Sequence, residues 1–272
     1  MLIDAHLHLQ DPRLDSIRPR LGEVLSSDAI GWMVVNGTTE ADWGGVLECS
    51  GKFKQVIPSF GLHPWWIHQR SKDWLENLEF LLKSHSSAVG EIGLDRWLRK
   101  DNIVEQEEVF LAQWELANQF RLPVTVHCLK AWGRLLDLVR SHPHQGSGFL
   151  LHSYSGPREM IDEWIKLGAM FSISGYFAQP RKADRMNIFE QIPMEKLLVE
   201  TDAPDMLPPE GLISHDAGLD ADKRPINHPG NLRRIYQFVA DRLGISPKQL
   251  ELQCEANFKK MFHHQVGVSP NY

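Results

Sequence analysis

The sequence predicts a distorted (β/α)8 TIM barrel, and three observations support this prediction. Eight short β-type runs recur along the 272 residues. Their starts lie roughly 20 to 35 residues apart, close to the roughly 31 residues per unit expected of such a barrel. Helical patterns lie between most of the runs, and this alternation favours a parallel sheet. Because no break in composition separates the repeats, we expect one closed barrel in a single domain spanning residues 1–272.

The predicted strands are short apolar runs bounded by turn-forming residues. In chain order, they are Leu2–His6, Trp32–Val35, Val56–Phe60, Ala88–Ile92, Val124–His127, Phe149–His152, Met170–Ser174 and Leu197–Thr201. In the first run, residues two apart point to the same side of the strand. Asp4, His6 and His8 therefore share one face, and a purely structural strand seldom buries that many titratable groups because each needs a partner.

Helices are indicated between the strands by apolar residues at helical spacing. Asp73 is predicted to cap one helix, Pro157 suits the first position of another, and Gly168 suits the position after that helix ends. A further helix ends at Gly244, and the pair at 246–247 (Ser-Pro) begins the last one. The first and seventh strand–helix units are weaker, because residues 11–27 and 179–192 show poor periodicity.

Composition excludes several classes of protein. The net charge of −6 does not suit a protein that coats nucleic acid without specificity. No apolar run approaches the roughly 20 residues of a membrane span, and the amino terminus has no signal-type core. The three cysteines, Cys49, Cys128 and Cys254, show no metal-type pairing, which indicates a reducing, cytoplasmic compartment. We expect a monomer.

Titratable residues cluster where the predicted strands end, which in such barrels is the catalytic rim. The set comprises His6, His8, His63, Glu91, Asp95, His127, His152, Glu200 and Asp202. A single histidine at a strand end is ordinarily structural, but five of them on one rim beside carboxylates are hard to explain in that way. Together they offer enough nitrogen and oxygen ligands for two divalent ions at the carboxyl-terminal mouth of the barrel.

The ordered motifs at these strand ends resemble one known family. They are "DAHLHL", "GLHP", "GEIGLD", "VHC", "LHSYSG" and "ETDAP". Each is weak alone, but the set of six in this order resembles the TatD family of metal-dependent hydrolases, which belongs to the amidohydrolase-like TIM barrels. The resemblance covers essentially the whole chain.

The resemblance implies a role for each matching residue. His6, His8 and Asp202 would hold one metal, His127 and His152 a second, and Glu91 would bridge them. A water activated by the metals would be the nucleophile, with Asp202 accepting its proton and His63 touching the scissile phosphate. The resemblance leaves the ions undetermined among Mg²⁺, Mn²⁺ and Zn²⁺.

Other residues have structural alternatives. Asp4 is expected to orient a histidine rather than bind a metal, and His63 would alternatively cap the loop before Pro64. Asp95 and Glu200 are expected to support ligands. The long segment 203–229, rich in proline and glycine, predicts a lid or binding loop. The aromatic residues after strand ends would either stack on unpaired bases or close the top of the barrel; they are Trp65, Trp66, Trp97, Trp132, Tyr154 and Tyr176.

The chain also departs from the family pattern near the substrate. The fifth-strand motif reads "HCLKA" where the family commonly has "HSRDA", so the usual arginine is absent and Lys130 or Arg134 would replace it as an anion contact. "HSYSG" replaces "HCFSG", and Ile226 precedes Asn227 where the family often has arginine. These changes leave the metal ligands intact but bear on the identity of the substrate.

Three functions are compatible with these residues. The first is a metal-dependent 3′–5′ exodeoxyribonuclease that trims single-stranded DNA ends, with a modest salt dependence. The second hydrolyses another ester or amide with the same metals, for example a D-aminoacyl-tRNA deacylase. The third, a catalytically silent binding protein, is disfavoured by the intact ligand set.

Overall fold

Eight parallel strands form one sheet in chain order, β1-β2-β3-β4-β5-β6-β7-β8. The computed structural model describes residues 1–97 and 102–267. The strands are β1 Leu2–Leu7, β2 Ile30–Asn36, β3 Val56–Phe60, β4 Ala88–Asp95, β5 Val124–Leu129, β6 Phe149–Leu151, β7 Ala169–Ser174 and β8 Leu197–Glu200. All eight predicted strands are confirmed, with ends that differ by a few residues.

The sheet closes where its last strand meets its first. The backbone N–H of Asp202 donates to the carbonyl of His6 at 2.9 Å, and the N–H of His8 donates to the carbonyl of Ala203 at 2.8 Å. Together with helices around the outside, this closure gives the predicted (β/α)8 barrel. The register shifts between β1 and β2, and between β4 and β5, distort its regularity.

Helices surround the barrel in the described part of the chain. They are α1 Leu21–Ser27, α2 Trp43–Lys52, α3 Trp74–Ser84, α4 Ile103–Phe120, α5 Trp132–Ser141, α6 Ile161–Lys166, α7 Ala183–Phe189, α8 Leu232–Leu243 and α9 Pro247–Met261. Within the described residues, no helix combines the length and apolarity that crossing a membrane requires. The strands are buried almost throughout, so one apolar core fills the barrel and the layer beneath the helices.

Most helix boundaries agree with those predicted from the sequence, but two details differ. Gly244 ends α8 in the left-handed conformation, with φ of 66°, and Ser246 begins α9 with a reciprocal capping box. Asp73 occupies the N-cap position of α3 as predicted, but its side chain makes no capping hydrogen bond. Pro157 lies one residue before a short 3-10 turn rather than at the first helical position.

The two weakly periodic units contain short helices and 3-10 turns. After β1, the turns 12–14 and 18–20 precede the seven-residue helix α1. After β7, the turns 175–178 and 180–182 precede the seven-residue helix α7. Two helical turns are too short to establish a 3.6-residue pattern, which explains the weak sequence signal.

The long segment 203–229 is held against the barrel by asparagine side chains. Asn227 donates to the carbonyl of Thr201 at 2.8 Å, and Asn231 accepts from the backbone N–H groups of Ser214 and His215, both at 2.9 Å. His228 stacks on His215, with ring centroids 5.0 Å apart, and its Nδ1 accepts from a following N–H. This segment therefore forms an ordered cover beside the mouth of the barrel.

Candidate metal centre

Four donor atoms converge from the carboxyl end of β1, the middle of β4 and the residues after β8. Nε2 of His6 lies 3.2 Å from Nε2 of His8 and 3.4 Å from both Glu91 Oε2 and Asp202 Oδ1. Nε2 of His8 lies 3.3 Å from the same Glu91 oxygen and 3.6 Å from the same Asp202 oxygen. Ligand atoms about 2.1 Å from one ion in a tetrahedral arrangement lie about 3.4 Å apart. These spacings therefore fit a single divalent ion.

A second group of donors faces the other oxygen of Glu91. Oε1 of Glu91 lies 2.8 Å from His152 Nε2, 3.1 Å from His127 Nδ1 and 3.6 Å from His63 Nε2. The nearest nitrogens of His127 and His152 are 3.3 Å apart. This buried oxygen has no donor directed at it with hydrogen-bond geometry among the described residues. The two Glu91 oxygens thus belong to two adjacent donor groups, an arrangement that fits two bridged ions.

The backbone of β4 explains why glycines flank Glu91 in "GEIG". A Cβ atom added at Gly90 would lie 2.8 Å from Asn36 Oδ1 and 2.9 Å from Thr125 Cβ. A Cβ atom at Gly93 would lie 1.9 Å from the carbonyl oxygen of His127. Since β4 approaches its neighbours this closely, both positions require glycine, and the close approach places Glu91 among the imidazoles of the adjoining strands.

Hydrogen bonds behind the imidazoles set which nitrogen faces the centre. Nδ1 of His8 lies 2.8 Å from the backbone carbonyl of Asn36, so Nδ1 donates to it and Nε2 is the nitrogen that faces the centre. Nε2 of His127 lies 3.1 Å from Asp95 Oδ2, so Nε2 donates and Nδ1 presents its lone pair. Trp65 also donates to that carboxylate, at 2.6 Å. Asp95 thus supports a histidine, as the sequence indicates.

The remaining support comes from buried groups beneath the rim. Nδ1 of His6 lies 3.0 Å from the side-chain amide of Asn36. Oε1 of Glu200 faces Nδ1 of His152 at 3.6 Å, and the Glu200 carboxylate accepts from two serine hydroxyls. The prediction that Asp4 orients a histidine is wrong. Its carboxylate instead accepts from the backbone N–H of Thr201 at 2.9 Å and from the Thr201 hydroxyl at 2.5 Å, which fixes the chain next to Asp202.

His63 caps the loop before Trp65, and its ring also borders the cavity of the centre. Its Nδ1 accepts from the backbone N–H of Trp65 at 3.2 Å, which caps the loop and leaves the proton on Nε2. That Nε2 points into the cavity of the centre. Burial holds its pKa well below the usual range, so the ring is neutral and Nε2–H is a donor.

The electrostatics of the centre follow from burying several titratable groups together. Burial would raise the pKa of Glu91, but the surrounding imidazoles outweigh it and hold the pKa well below its usual range. Burial raises the pKa of Asp202 well above its usual value. Burial lowers the pKa of His6 to about 4, whereas Glu91 and Asp202 outweigh burial at His8 and raise its pKa to about 9. Without metal, the centre thus holds a buried imidazolium beside a carboxylate, and divalent ions bound there would take the place of imidazole protons.

The aromatic residues near the mouth differ in burial and position. Trp65 lines the cavity of the centre. Trp132 and Tyr154 are buried and pack edge to face, with ring centroids 4.6 Å apart. Trp66 and Trp97 are the more exposed members of the set.

Two hydrogen-bonded residues of the site, Asn36 and Thr201, could not be identified from the sequence, because an asparagine or threonine at a strand end has no distinctive pattern.

Comparisons with known proteins agree with the barrel fold and with a metal-dependent hydrolase. A family model described as TatD related DNase matches residues 3–263. An uncharacterized metal-dependent hydrolase from Escherichia coli, YjjV, is 27% identical over 207 residues, covering 75% of this chain and 80% of the relative. A protein named 3′-5′ ssDNA/RNA exonuclease TatD from Edwardsiella piscicida is 30% identical over 214 residues, covering 76% and 81%. The crystal structure of YjjV superposes with a TM-score of 0.86 at 23% identity, covering 96% of this chain and 98% of that one.

Proposed function

Because this chain belongs to the TatD family of metal-dependent hydrolases, we propose that it removes nucleotides one at a time from the 3′ ends of single-stranded DNA. The observation that carries the proposal is the Glu91 carboxylate, which directs one oxygen into each of two adjacent donor groups. Two-ion centres of this kind suit in-line displacement at phosphorus. We propose that residues 1–272 carry this activity as a single domain.

The donor atoms suggest which residues hold each ion. His6, His8 and Asp202 would hold one, His127 and His152 would hold the other, and Glu91 would bind both. A mixed histidine and carboxylate set suits Zn²⁺ or Mn²⁺ better than Mg²⁺, which prefers more oxygen ligands. When bound, two such ions would lower the pKa of a water molecule and stabilise the charge of the phosphoryl oxygens.

The protein's own groups complete the chemistry. Asp202, which lines the cavity of the centre, would accept the proton of the attacking water at a carboxylate oxygen. His63 would donate its Nε2–H to a non-bridging oxygen of the scissile phosphate, since its Nδ1 is already occupied by the N–H of Trp65. The Asp95 carboxylate would keep His127 in the tautomer that presents Nδ1.

The shape of the mouth supports action on a strand end. The cavity of the centre has a volume of about 260 Å³ and is bordered by Trp65 and by Met206 of the covering segment. Typical ligand pockets measure about 300–1,000 Å³. A cavity slightly smaller than this range suits a terminal nucleotide and not an intact duplex.

The test is the shortening of a 5′-labelled single-stranded oligonucleotide in the presence of Mn²⁺ or Mg²⁺. We expect a ladder of labelled products from the unmodified oligonucleotide, and none when the terminal 3′ linkage is a phosphorothioate. Release of the label as a mononucleotide would contradict the direction. Absence of products, together with hydrolysis of D-aminoacyl-tRNA, would replace the nuclease with an ester hydrolase.

A further inference from the structure

A second pocket adjoins the metal centre on the same rim of the barrel. It lies where β4, β5 and β7 end, and Leu129 borders both it and the cavity of the centre. Its volume is about 360 Å³. We call it the basic pocket, and its principal lining residues are Trp97, Lys130, Trp132, Phe177, Lys182 and Arg185.

The basic pocket is positively charged in a chain of net charge −6. Lys130, Lys182 and Arg185 line it, and no carboxylate of the described residues does. None of these three cations forms an ion pair with any residue that the structure describes. Arg134, the other candidate for the missing family arginine, is instead neutralised by Glu107, with which it makes hydrogen bonds of 2.8 and 2.6 Å.

The opposite side of the centre has the reverse charge. The groove there is lined by Asp11, Asp42 and Asp205, and Arg13, the arginine beside them, is bonded to two of these carboxylates. Four carboxylate–guanidinium hydrogen bonds, from 2.8 to 3.0 Å, occupy that arginine. A polyanion that reaches the centre is therefore attracted on the side of the basic pocket and repelled on the other.

Aromatic rings alternate with the cations of the basic pocket. Trp97 is 56% exposed, and Nζ of Lys130 lies 4.3 Å from the centroid of its indole ring. Tyr176, which precedes Phe177 of the pocket lining, has Nζ of Lys182 at 5.0 Å and Cζ of Arg181 at 5.2 Å from its ring centroid. Exposed rings that stack with bases, beside cations that contact phosphates, are the recognition elements of proteins that bind single strands.

We propose that the basic pocket binds the unpaired nucleotides on the 5′ side of the scissile phosphate. Trp97 stacks on a base, and Lys130 and Lys182 each contact a backbone phosphate. This inference rests on the proposed function, because it assumes that the 3′-terminal nucleotide occupies the metal centre. In this arrangement, the phosphate contact of Lys130 replaces that of the family arginine absent from "HCLKA". Longer single strands should therefore bind more tightly than short ones.

The test compares a pocket variant with a charge-matched control. Lys130 has a φ of 55°, in the left-handed region that asparagine tolerates, so the pocket variant combines Lys130→Asn with Lys182→Ala. The control combines Lys52→Ala with Lys54→Ala. Both control lysines are exposed at the amino-terminal side of β3, and Lys52 also lies over an aromatic ring, at 5.5 Å. Both variants remove two positive charges.

The first readout is the ratio of kcat/KM for a twelve-nucleotide thymidine strand to kcat/KM for the dinucleotide. We expect the pocket variant to lower this ratio about tenfold. We also expect the slope of log affinity against log salt concentration to become less steep by about 1.4, because each of two lost lysine–phosphate contacts contributes about 0.7. The control should match the wild type. An unchanged ratio in the pocket variant would overturn the proposal while leaving the exonuclease assignment intact.

A binding measurement separates failure of this inference from failure of the proposed function. If the wild type cleaves neither strand, the exonuclease assignment fails. Fluorescence anisotropy of a labelled twelve-nucleotide thymidine strand on metal-depleted protein then tests the pocket directly. Weaker binding by the pocket variant alone supports the basic pocket as a single-strand site. Equal binding by all three proteins, or none by the wild type, overturns it.

Discussion

Replacing Asp95 with asparagine changes the orientation of a proposed metal ligand without touching the cavity itself. Oδ2 of Asp95 accepts from Trp65 Nε1 at 2.6 Å and lies 3.1 Å from His127 Nε2, while Oδ1 accepts from the backbone N–H of Trp97 at 2.6 Å. Although burial would raise its pKa, the contacts with His127 and Trp65 lower the pKa of Asp95 to about 2. The group is therefore a carboxylate throughout the working pH range. An asparagine keeps the volume and one acceptor oxygen.

The expected magnitude follows from the hydrogen bonds that asparagine cannot reproduce. Because Oδ2 serves both Trp65 and His127, the amide nitrogen would either replace Oδ2 and face both of these donors, or replace Oδ1 and face the backbone N–H of Trp97. In the first case His127 loses its acceptor, and in the second it keeps only a neutral one. Removing one hydrogen bond to a charged acceptor costs about 1.5–3 kcal/mol. His127 is then free to place a proton on Nδ1, the nitrogen that faces Glu91. Removing a group that hydrogen-bonds to a metal-binding histidine typically weakens metal binding 10- to 100-fold, or by about 1.4–2.7 kcal/mol.

The assay is calorimetric titration of Mn²⁺ into metal-depleted Asp95→Asn protein, with Asp162→Asn as the control. Asp162 is exposed on α6, so its replacement should leave binding unchanged. We expect one of two binding events to weaken by at least tenfold in Asp95→Asn, with a similar fall in kcat/KM. Affinity and activity within twofold of the wild type would refute the idea that Asp95 fixes the tautomer of His127.

Three further changes test separate parts of the account. Gly93→Ala places a Cβ 1.9 Å from the carbonyl oxygen of His127, so we expect at least a tenfold loss of kcat/KM and a lower Tm. The control Gly22→Ala has open space around the new Cβ and should leave kcat/KM and Tm near the wild-type values. Asp4→Ala leaves two buried donors at the end of β8 without an acceptor and should cost about 2–4 kcal/mol in urea unfolding, while Asp4→Asn should cost less than half of that. Burial lowers the pKa of His144 to about 4, so the unfolded state binds the extra proton and stability is lost as pH falls from about 6.5 toward 4. Between pH 7 and 4.5, the wild type should therefore lose about 2 kcal/mol more unfolding free energy than His144→Leu, and equal losses would contradict the assignment.

The barrel could be predicted from the sequence because its strands are buried on both faces. Strands β3 and β5 appear as largely apolar runs, and the two glycines of β4 do not obscure the apolar residues around them. The short helices α1 and α7 could not be predicted with the same ease. Their two turns are supported by tertiary packing and flanking 3-10 turns, neither of which leaves a local signal.

The site residues could be located because titratable side chains at strand ends are chemically conspicuous. What the sequence could not show is the supporting geometry. Asn36 on β2 contacts His6 and His8 on the neighbouring β1, and Asp4 accepts from Thr201, nearly two hundred residues away in the sequence. Such partnerships depend on barrel register, which no local pattern records. The acidic and basic sides of the mouth likewise could not be predicted, because they depend on which lysines and arginines form ion pairs with carboxylates in the folded chain.

The most direct test of the two-ion hydrolase is the shortening of a 5′-labelled single-stranded oligonucleotide by Glu91→Gln protein beside wild type and Glu48→Gln. Glu48 is an exposed glutamate on α2, so its replacement controls for the loss of one carboxylate. We predict a full product ladder from wild type and Glu48→Gln with added Mn²⁺, and at least a hundredfold slower shortening by Glu91→Gln. Equal rates for all three proteins would contradict a catalytic centre built around Glu91.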